Sequence, residues 1–234
     1  MLTPTLEISK IKAIIFDVDG TLSDSDDRMV ERLQNRLRFL EGIIDESKLK
    51  LFSRWFVRTA EGPGNWLLET ADRLGLDHPI AAFFDKRASA REVLAHHYPL
   101  IPGILPMLEA LSKRYLFAIV TARNEVTTSQ FLEINNLVKY FPVVVSSQTC
   151  RRTKPFPDPL LHAAERLGVP ADSLLMVGDT VTDVRAALAA GAQSLSVLSG
   201  FGTEAELQKA GTQAILPSTS SLASFLTEAH LELI

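Results

Sequence analysis

The chain has 234 residues, 46% of them hydrophobic and 22% charged, with 12 Gly, 12 Pro and one Cys. That is enough for one large domain or one domain with a sizeable insertion, and it is unlike a disordered, collagenous or disulfide-built sequence. A formal net charge of −4 removes the general electrostatic case for nucleic acid or an anionic membrane as partner. The lone Cys150 closes no intrachain disulfide, and neither a secretory leader pattern nor an apolar run long enough to span a bilayer occurs. A cytoplasmic protein without a membrane partner is therefore expected, as a monomer or homodimer.

Along the chain, residues 12–17 (KAIIFD) form a short Ile-rich run ending in a carboxylate, the pattern of a strand buried on both faces. Residues 23–97 differ in character: β-branched runs are scarce, and Leu33, Leu37 and Leu40 recur at helical spacing, as do Trp66, Glu69 and Arg73. This segment is too long for a crossover and predicts a helical insertion, entered through SDSDD and left at YPLIPG, residues 98–103. Strand-like runs then return at residues 115–121, 141–146, 173–179 and 193–198, separated by helical patterns at 125–135, 158–167 and 182–190. Gly168 and Gly191 stand where two of those helices should stop, and Thr203 with Glu206 forms a capping box that opens another. Residues 218–221 (STSS) read as loop. Alternation of strand and helix predicts an α/β protein with a doubly wound, Rossmann-like parallel-sheet core, residues 1–22 and 98–234, interrupted by a helical cap, residues 23–97.

In an open parallel sheet, ligands bind beyond the carboxyl ends of the strands, so polar residues there converge from distant parts of the chain. Four groups qualify. Asp17-Val18-Asp19-Gly20-Thr21 follows the first strand; its carboxylates at spacing two share a side and repel unless a cation or proton intervenes, and Gly20 permits a sharp turn. Thr121-Ala122-Arg123 follows the second, where a hydroxyl and backbone amides suit a phosphate oxygen, although such a Thr is commonly only a helix cap. Lys154 lies in Arg151-Arg152-Thr153-Lys154, a cation run of the kind that usually forms a solvated face. Gly178-Asp179-Thr180-Val181-Thr182-Asp183 brings two carboxylates one helical turn apart, with helix capping as the plainer reading. Together they make an inventory for Mg²⁺ and a phosphoryl group, hard oxygen ligands with a lysine to neutralise the non-bridging oxygens. His78, His96, His97, His162 and His230 fall outside these motifs, which disfavours zinc.

The ordered set DVDGT, Thr121, Lys154 and GDTVTD resembles the four motifs of the haloacid dehalogenase-like superfamily of phosphohydrolases, and the insertion after the first motif resembles that family's helical cap. The resemblance spans essentially the whole chain. From Ala190-Gly191-Ala192 to Gly200-Phe201-Gly202 it is similar to the phosphoglycolate phosphatase-like branch. It implies that Asp17 is the nucleophile forming an aspartyl-phosphate and that Asp19 first protonates the leaving oxygen and then activates water. Thr121 and Lys154 would hold the phosphoryl group, helped by the backbone around Gly20 and Ala122. Mg²⁺ would bind the Asp17 carboxylate, the Asp19 backbone carbonyl and Asp179, with Asp183 acting through water or by orienting Lys154. The implied substrate is a small phosphorylated metabolite.

Within the superfamily, Asp19 argues against dehalogenase and phosphonatase chemistry. Gly178 stands where the similar sugar-phosphate mutases of the phosphoglucomutase type typically carry an acidic residue, which favours a phosphatase. A receiver-like phosphotransfer module and a non-catalytic phosphate-binding or regulatory protein are the readings of another class. In the insertion, Arg54 and Arg58 share a helix face before the turn at Gly62 and are candidate substrate contacts, against the plainer reading of solvated arginines. Trp55, Phe56 and Trp66 read as packing of the insertion's own core.

Overall fold

The protein is described here by a computed structural model, which covers residues 6–24 and 99–231. The chain divides into two compact units, Met1–Asp24 with Tyr98–Ile234, and Ser25–His97. Arg54, Arg58, Gly62 and the aromatic residues Trp55, Phe56 and Trp66 lie outside the described residues. Ser23, read from sequence as the first residue of the insertion, falls in the first unit, buried and bridged to Leu100.

The described strands are β1 (Ala13–Phe16), β2 (Leu116–Val120), β3 (Val143–Val145), β4 (Leu174–Gly178), β5 (Gln193–Val197) and β6 (Ala214–Leu216). They form one parallel sheet in the order β3-β2-β1-β4-β5-β6. The helices are α1 (Ile104–Leu111), α2 (Glu125–Ile134), α3 (Asp158–Leu167), α4 (Val181–Ala190), α5 (Glu204–Ala210) and α6 (Leu222–Leu231). None of the described helices is long and apolar enough to cross a membrane.

Burial on both faces explains why the strands read as unbroken apolar runs. Successive side chains of β1 point to opposite faces. Ile14 and Phe16 join Phe117, Ile119, Leu175 and Val177 in a core that also takes Met107 and Leu108 of α1, Phe131 of α2 and Leu222 and Leu226 of α6. Phe16 meets Phe117 and Phe141 edge to face, with ring centroids 5.5 and 6.0 Å apart. Ala13 and Ile15 point the other way, with Ala118, Val120 and Met176, onto Leu160 and Ala163 of α3 and Ala186 and Ala187 of α4. Small alanines here bring those two helices close to the sheet.

The five strands and three helices read from the core sequence are present with ends shifted by two residues or fewer. Gly168 and Gly191 close α3 and α4 in the left-handed conformation, φ 69° and 74°. The Thr203–Glu206 capping box opens α5. Helix α1, strand β6 and helix α6 are additions, and residues 219–221 make a 3₁₀ turn where loop was expected. Two features position the site. Strand order reverses at β1, whose neighbours are β2 and β4, so a crevice opens beyond the carboxyl ends of β1 and β4. Phe16 is in register with both Ile119 and Val177, which brings Thr121 and Asp179 out at one level of the sheet, one residue beyond Asp17.

Candidate active site

Asp17 is the first residue past β1, still tied to the sheet by its amide, which donates to the Val177 carbonyl (3.0 Å). Its Oδ1 accepts the amide of Val18 (2.7 Å), and its Oδ2 lies 3.0 Å from Lys154 Nζ. Burial pushes the Asp17 carboxyl up to about 6; the charges of Asp183 and Asp19 add to this, while Lys154 and the Val18 amide oppose it.

Lys154 comes from the loop between β3 and α3. The cation run there divides: Arg151 and Arg152 are exposed, and Arg152 is engaged by Asp158 at 3.0 Å. Lys154 instead turns inward, its side chain 6% exposed, and also donates to Asp183 Oδ1 at 2.6 Å. Burial alone would lower its pKa, but the carboxylates of Asp17 and Asp183 overcome that and hold it above the ordinary lysine value. The solvated-face reading fails for this one residue because two buried acids face it.

Asp183 makes the contacts of a helix cap and also touches Lys154. Its Oδ2 accepts from the Thr180 amide (3.0 Å) and Thr180 hydroxyl (2.6 Å), completing the capping box of α4, while Oδ1 holds Lys154. A Cβ on Gly178 would overlap the Asp183 carboxylate, so no side chain fits at position 178 while Asp183 keeps this orientation. Asp179, also buried, accepts the Phe201 amide on Oδ2 (2.9 Å), and Thr21 Oγ1 lies 3.3 Å from its Oδ1. Gly20 (φ 67°) and Gly200 border this carboxylate, where a Cβ on either would overlap it. Gly20 thus answers both to a left-handed turn and to a close approach.

Thr121 does not cap α2, since Asn124 does that by accepting the Thr127 amide (2.9 Å). The buried Thr121 hydroxyl accepts the Arg123 amide at 3.2 Å, next to the exposed Ala122. Asp19 is grasped by Arg123, with Nε to Oδ2 at 2.8 Å and a second nitrogen to Oδ1 at 2.5 Å. Arg123 in turn stacks over the Phe131 ring, 5.2 Å from its centroid. Sequence reasoning did not single out Arg123, Thr21 or the Phe201 amide. Arg123 stands beside Thr121, but its partner is 104 residues away, a separation no local pattern signals.

Among the described residues, Asp17, Asp179 and Asp183 each offer a carboxylate oxygen, all within 4.8 Å of one another. Three buried carboxylates gather here while Lys154 contacts only Asp17 and Asp183, a donor set of hard oxygens short of positive charge and suited to a small divalent cation. The sequence model of the haloacid dehalogenase-like hydrolase family matches residues 14–197. The chain belongs to this family. Its relatives include the phosphoglycolate phosphatase of Nitrosococcus oceani, 30% identical over 227 residues, with 92% of this chain and 96% of that protein covered. That of Nitrosospira multiformis is 31% identical over 221 residues, covering 89% and 92%. Among solved structures, a hydrolase from Pseudomonas syringae superposes with a TM-score of 0.69 at 29% identity, over 93% of this chain and 98% of that one.

Proposed function

We propose that this haloacid dehalogenase-like hydrolase is a Mg²⁺-dependent phosphatase that cleaves a small phosphomonoester through an aspartyl-phosphate on Asp17. The observation that carries this reading is the buried pair of Asp17 and Lys154, 3.0 Å apart, set at the point where the sheet order reverses. A carboxylate there attacks phosphorus without needing a base to deprotonate it, and the lysine beside it balances the charge that gathers as a phosphate dianion arrives. In the first step an Asp17 oxygen bonds to phosphorus, the bond from phosphorus to the ester oxygen breaks, and Asp19 gives that oxygen a proton. In the second, water attacks phosphorus, Asp19 takes the water's proton, and the bond from Asp17 to phosphorus breaks to release inorganic phosphate. Thr121 contributes its hydroxyl hydrogen to a phosphoryl oxygen, and the amides near Gly20 and Ala122 do the same.

Asp17, Asp179 and the Asp19 backbone carbonyl would hold the metal, with Asp183 keeping Lys154 in place and adding negative charge nearby. Bound Mg²⁺ supplies positive charge against the phosphoryl oxygens. The phosphoglycolate phosphatases among the relatives support a substrate of that class. Gly178 supports hydrolysis over phosphoryl isomerisation, because the acidic residue typical of the mutases at this position would run into Asp183. The test is phosphate release from a panel of phosphorylated metabolites with Mg²⁺, starting from 2-phosphoglycolate. Release that requires Mg²⁺ is the expected result; an isomeric sugar phosphate without free phosphate, or no product across the panel, overturns the reading.

A further inference from the structure

We propose that Arg123 is a substrate-sensing positioning residue: it holds Asp19 and exchanges it for a second anionic group, a carboxylate, carried by the phosphomonoester. The inference rests on the phosphatase reading above and deepens it by naming the residue that selects the substrate class. Three observations carry it.

Arg123 engages Asp19 through two parallel hydrogen bonds, one to each carboxylate oxygen. This fork matches a planar carboxylate and fixes its direction as well as its place. Asp19 is the residue assigned to proton transfer at the ester oxygen, and both of its oxygens are engaged by the guanidinium. The pair must open, or swing, for Asp19 to address the leaving group.

Exposure is also unequal across the pair. The Arg123 side chain is 8% exposed and Asp19 is 40% exposed. The arginine is anchored, seated on the Phe131 ring and tied through its backbone to the Thr121 hydroxyl and the Ser147 amide. The carboxylate is the replaceable member. An incoming carboxylate offers the same chemistry to the same fork, so exchange costs the arginine nothing in hydrogen bonds while it frees Asp19.

The third observation concerns Lys154. Lys154 is enclosed by Asp17 and Asp183 and is committed to the phosphoryl end. Arg123 follows Thr121 by two residues at the same strand end, so a group bound to it lies beside the phosphoryl position and at the leaving-group side, where Asp19 sits. A phosphomonoester with a short carboxylate-bearing leaving group brings the group that replaces Asp19 on Arg123, whereas a neutral alcohol of the same length brings nothing to exchange for it.

The experiment compares a matched pair of substrates, 2-phosphoglycolate and 2-hydroxyethyl phosphate, which differ in a carboxylate against a hydroxymethyl group. The kcat and KM of both are measured with Mg²⁺ for the wild type, Arg123→Gln and Arg123→Lys. The wild type should prefer 2-phosphoglycolate. In Arg123→Gln that preference, as a ratio of kcat/KM values, should fall by about 10- to 100-fold, the scale of losing a charged bidentate contact. Its kcat/KM for 2-hydroxyethyl phosphate should fall by less than that for 2-phosphoglycolate, since the neutral ester makes no exchange with Asp19. Arg123→Lys, which keeps the charge without the fork, should retain part of the preference through KM.

Parallel loss on both substrates would mark Arg123 as a purely structural support and overturn the proposal, as would an unchanged ratio or a wild type that favours the neutral ester. A wild type that hydrolyses neither substrate nor p-nitrophenyl phosphate overturns the phosphatase reading itself, and this inference with it. Thermal unfolding of each variant separates a misfolded protein from a specific loss, and the lysine variant keeps the comparison decisive if glutamine does not fold.

Discussion

Replacing Lys154 by methionine tests whether the site is held together by charge balance, and the cost follows from its surroundings. Lys154 Nζ lies 3.0 Å from Asp17 and 2.6 Å from Asp183, with side-chain exposures of 6% for the lysine, 11% for Asp17 and 2% for Asp183. Methionine fills similar volume but leaves two carboxylates buried against each other without a counter-charge. Removing one member of a buried ion pair costs about 3–5 kcal/mol. For a domain of this size each kcal/mol lowers the melting temperature by about 2–4 °C, so a drop of about 6–20 °C follows. The assay is thermal unfolding in EDTA near neutral pH for wild type, Lys154→Met, Asp183→Asn and the double variant. The double variant should be less destabilised than the sum of the single ones, because removing the Asp183 charge relieves part of the strain left by the missing lysine. A Lys154→Met protein that melts within about 2 °C of wild type, less than 1 kcal/mol on the same scale, refutes the charge-balance argument.

The Asp17 carboxyl offers a pH signature in metal-free protein. Its pKa in the fold is raised from 3.8 to about 6, so the fold binds this proton more tightly than the unfolded chain does. The associated stability is fully present below the unfolded value and is lost as pH rises through about 6. Asp17→Asn removes that loss: near neutral pH it should melt higher than the wild type in EDTA while hydrolysing nothing, and identical pH slopes for the two proteins would contradict this. Added Mg²⁺ should stabilise the wild type, by about 2.7 kcal/mol at a hundredfold excess over its dissociation constant. The stabilisation should vanish in Asp179→Asn, and a shift that survives in that variant removes Asp179 from the metal site. Gly178→Ala and Gly200→Ala should each cost about 1–3 kcal/mol, the range for overpacking, because the new methyl overlaps Asp183 or Asp179. Gly200→Ala should also weaken the Mg²⁺-dependent shift, and an unaltered melting curve in either variant would show that the loops yield freely.

Much of the core was legible because it is buried on both faces. Residues 13–16 (AIIF) and 174–178 (LLMVG) have no polar side chain to place, so a short apolar run ending in Asp could mean little else. Gly168 and Gly191 were legible as helix ends because their left-handed backbone favours glycine. Helix α1 was not, since Pro102 and Gly103 read as linker just before it, although Ile104, Met107, Leu108 and Leu111 have the helical spacing that buries them. Strand β6, three residues at the sheet edge, is too short to carry a period. In the site, Asp17, Lys154, Asp179 and Asp183 were readable through their order along the chain. The pairing of Asp19 with Arg123, and the seating of Asp179 against Gly200 and the Phe201 amide, depend on loops that meet only in the folded sheet.

The most direct test of the central claim is to trap the covalent intermediate. Wild-type protein with Mg²⁺ is mixed with 2-phosphoglycolate or p-nitrophenyl phosphate, quenched in acid during turnover, digested and analysed by mass spectrometry. An acid-stable, alkali-labile increase of one phosphoryl group on the peptide containing Asp17, absent from Asp17→Asn, is the result predicted. Steady phosphate release with the adduct on another residue, or Asp17→Asn turning over at the wild-type rate, would contradict the assignment of Asp17 as nucleophile.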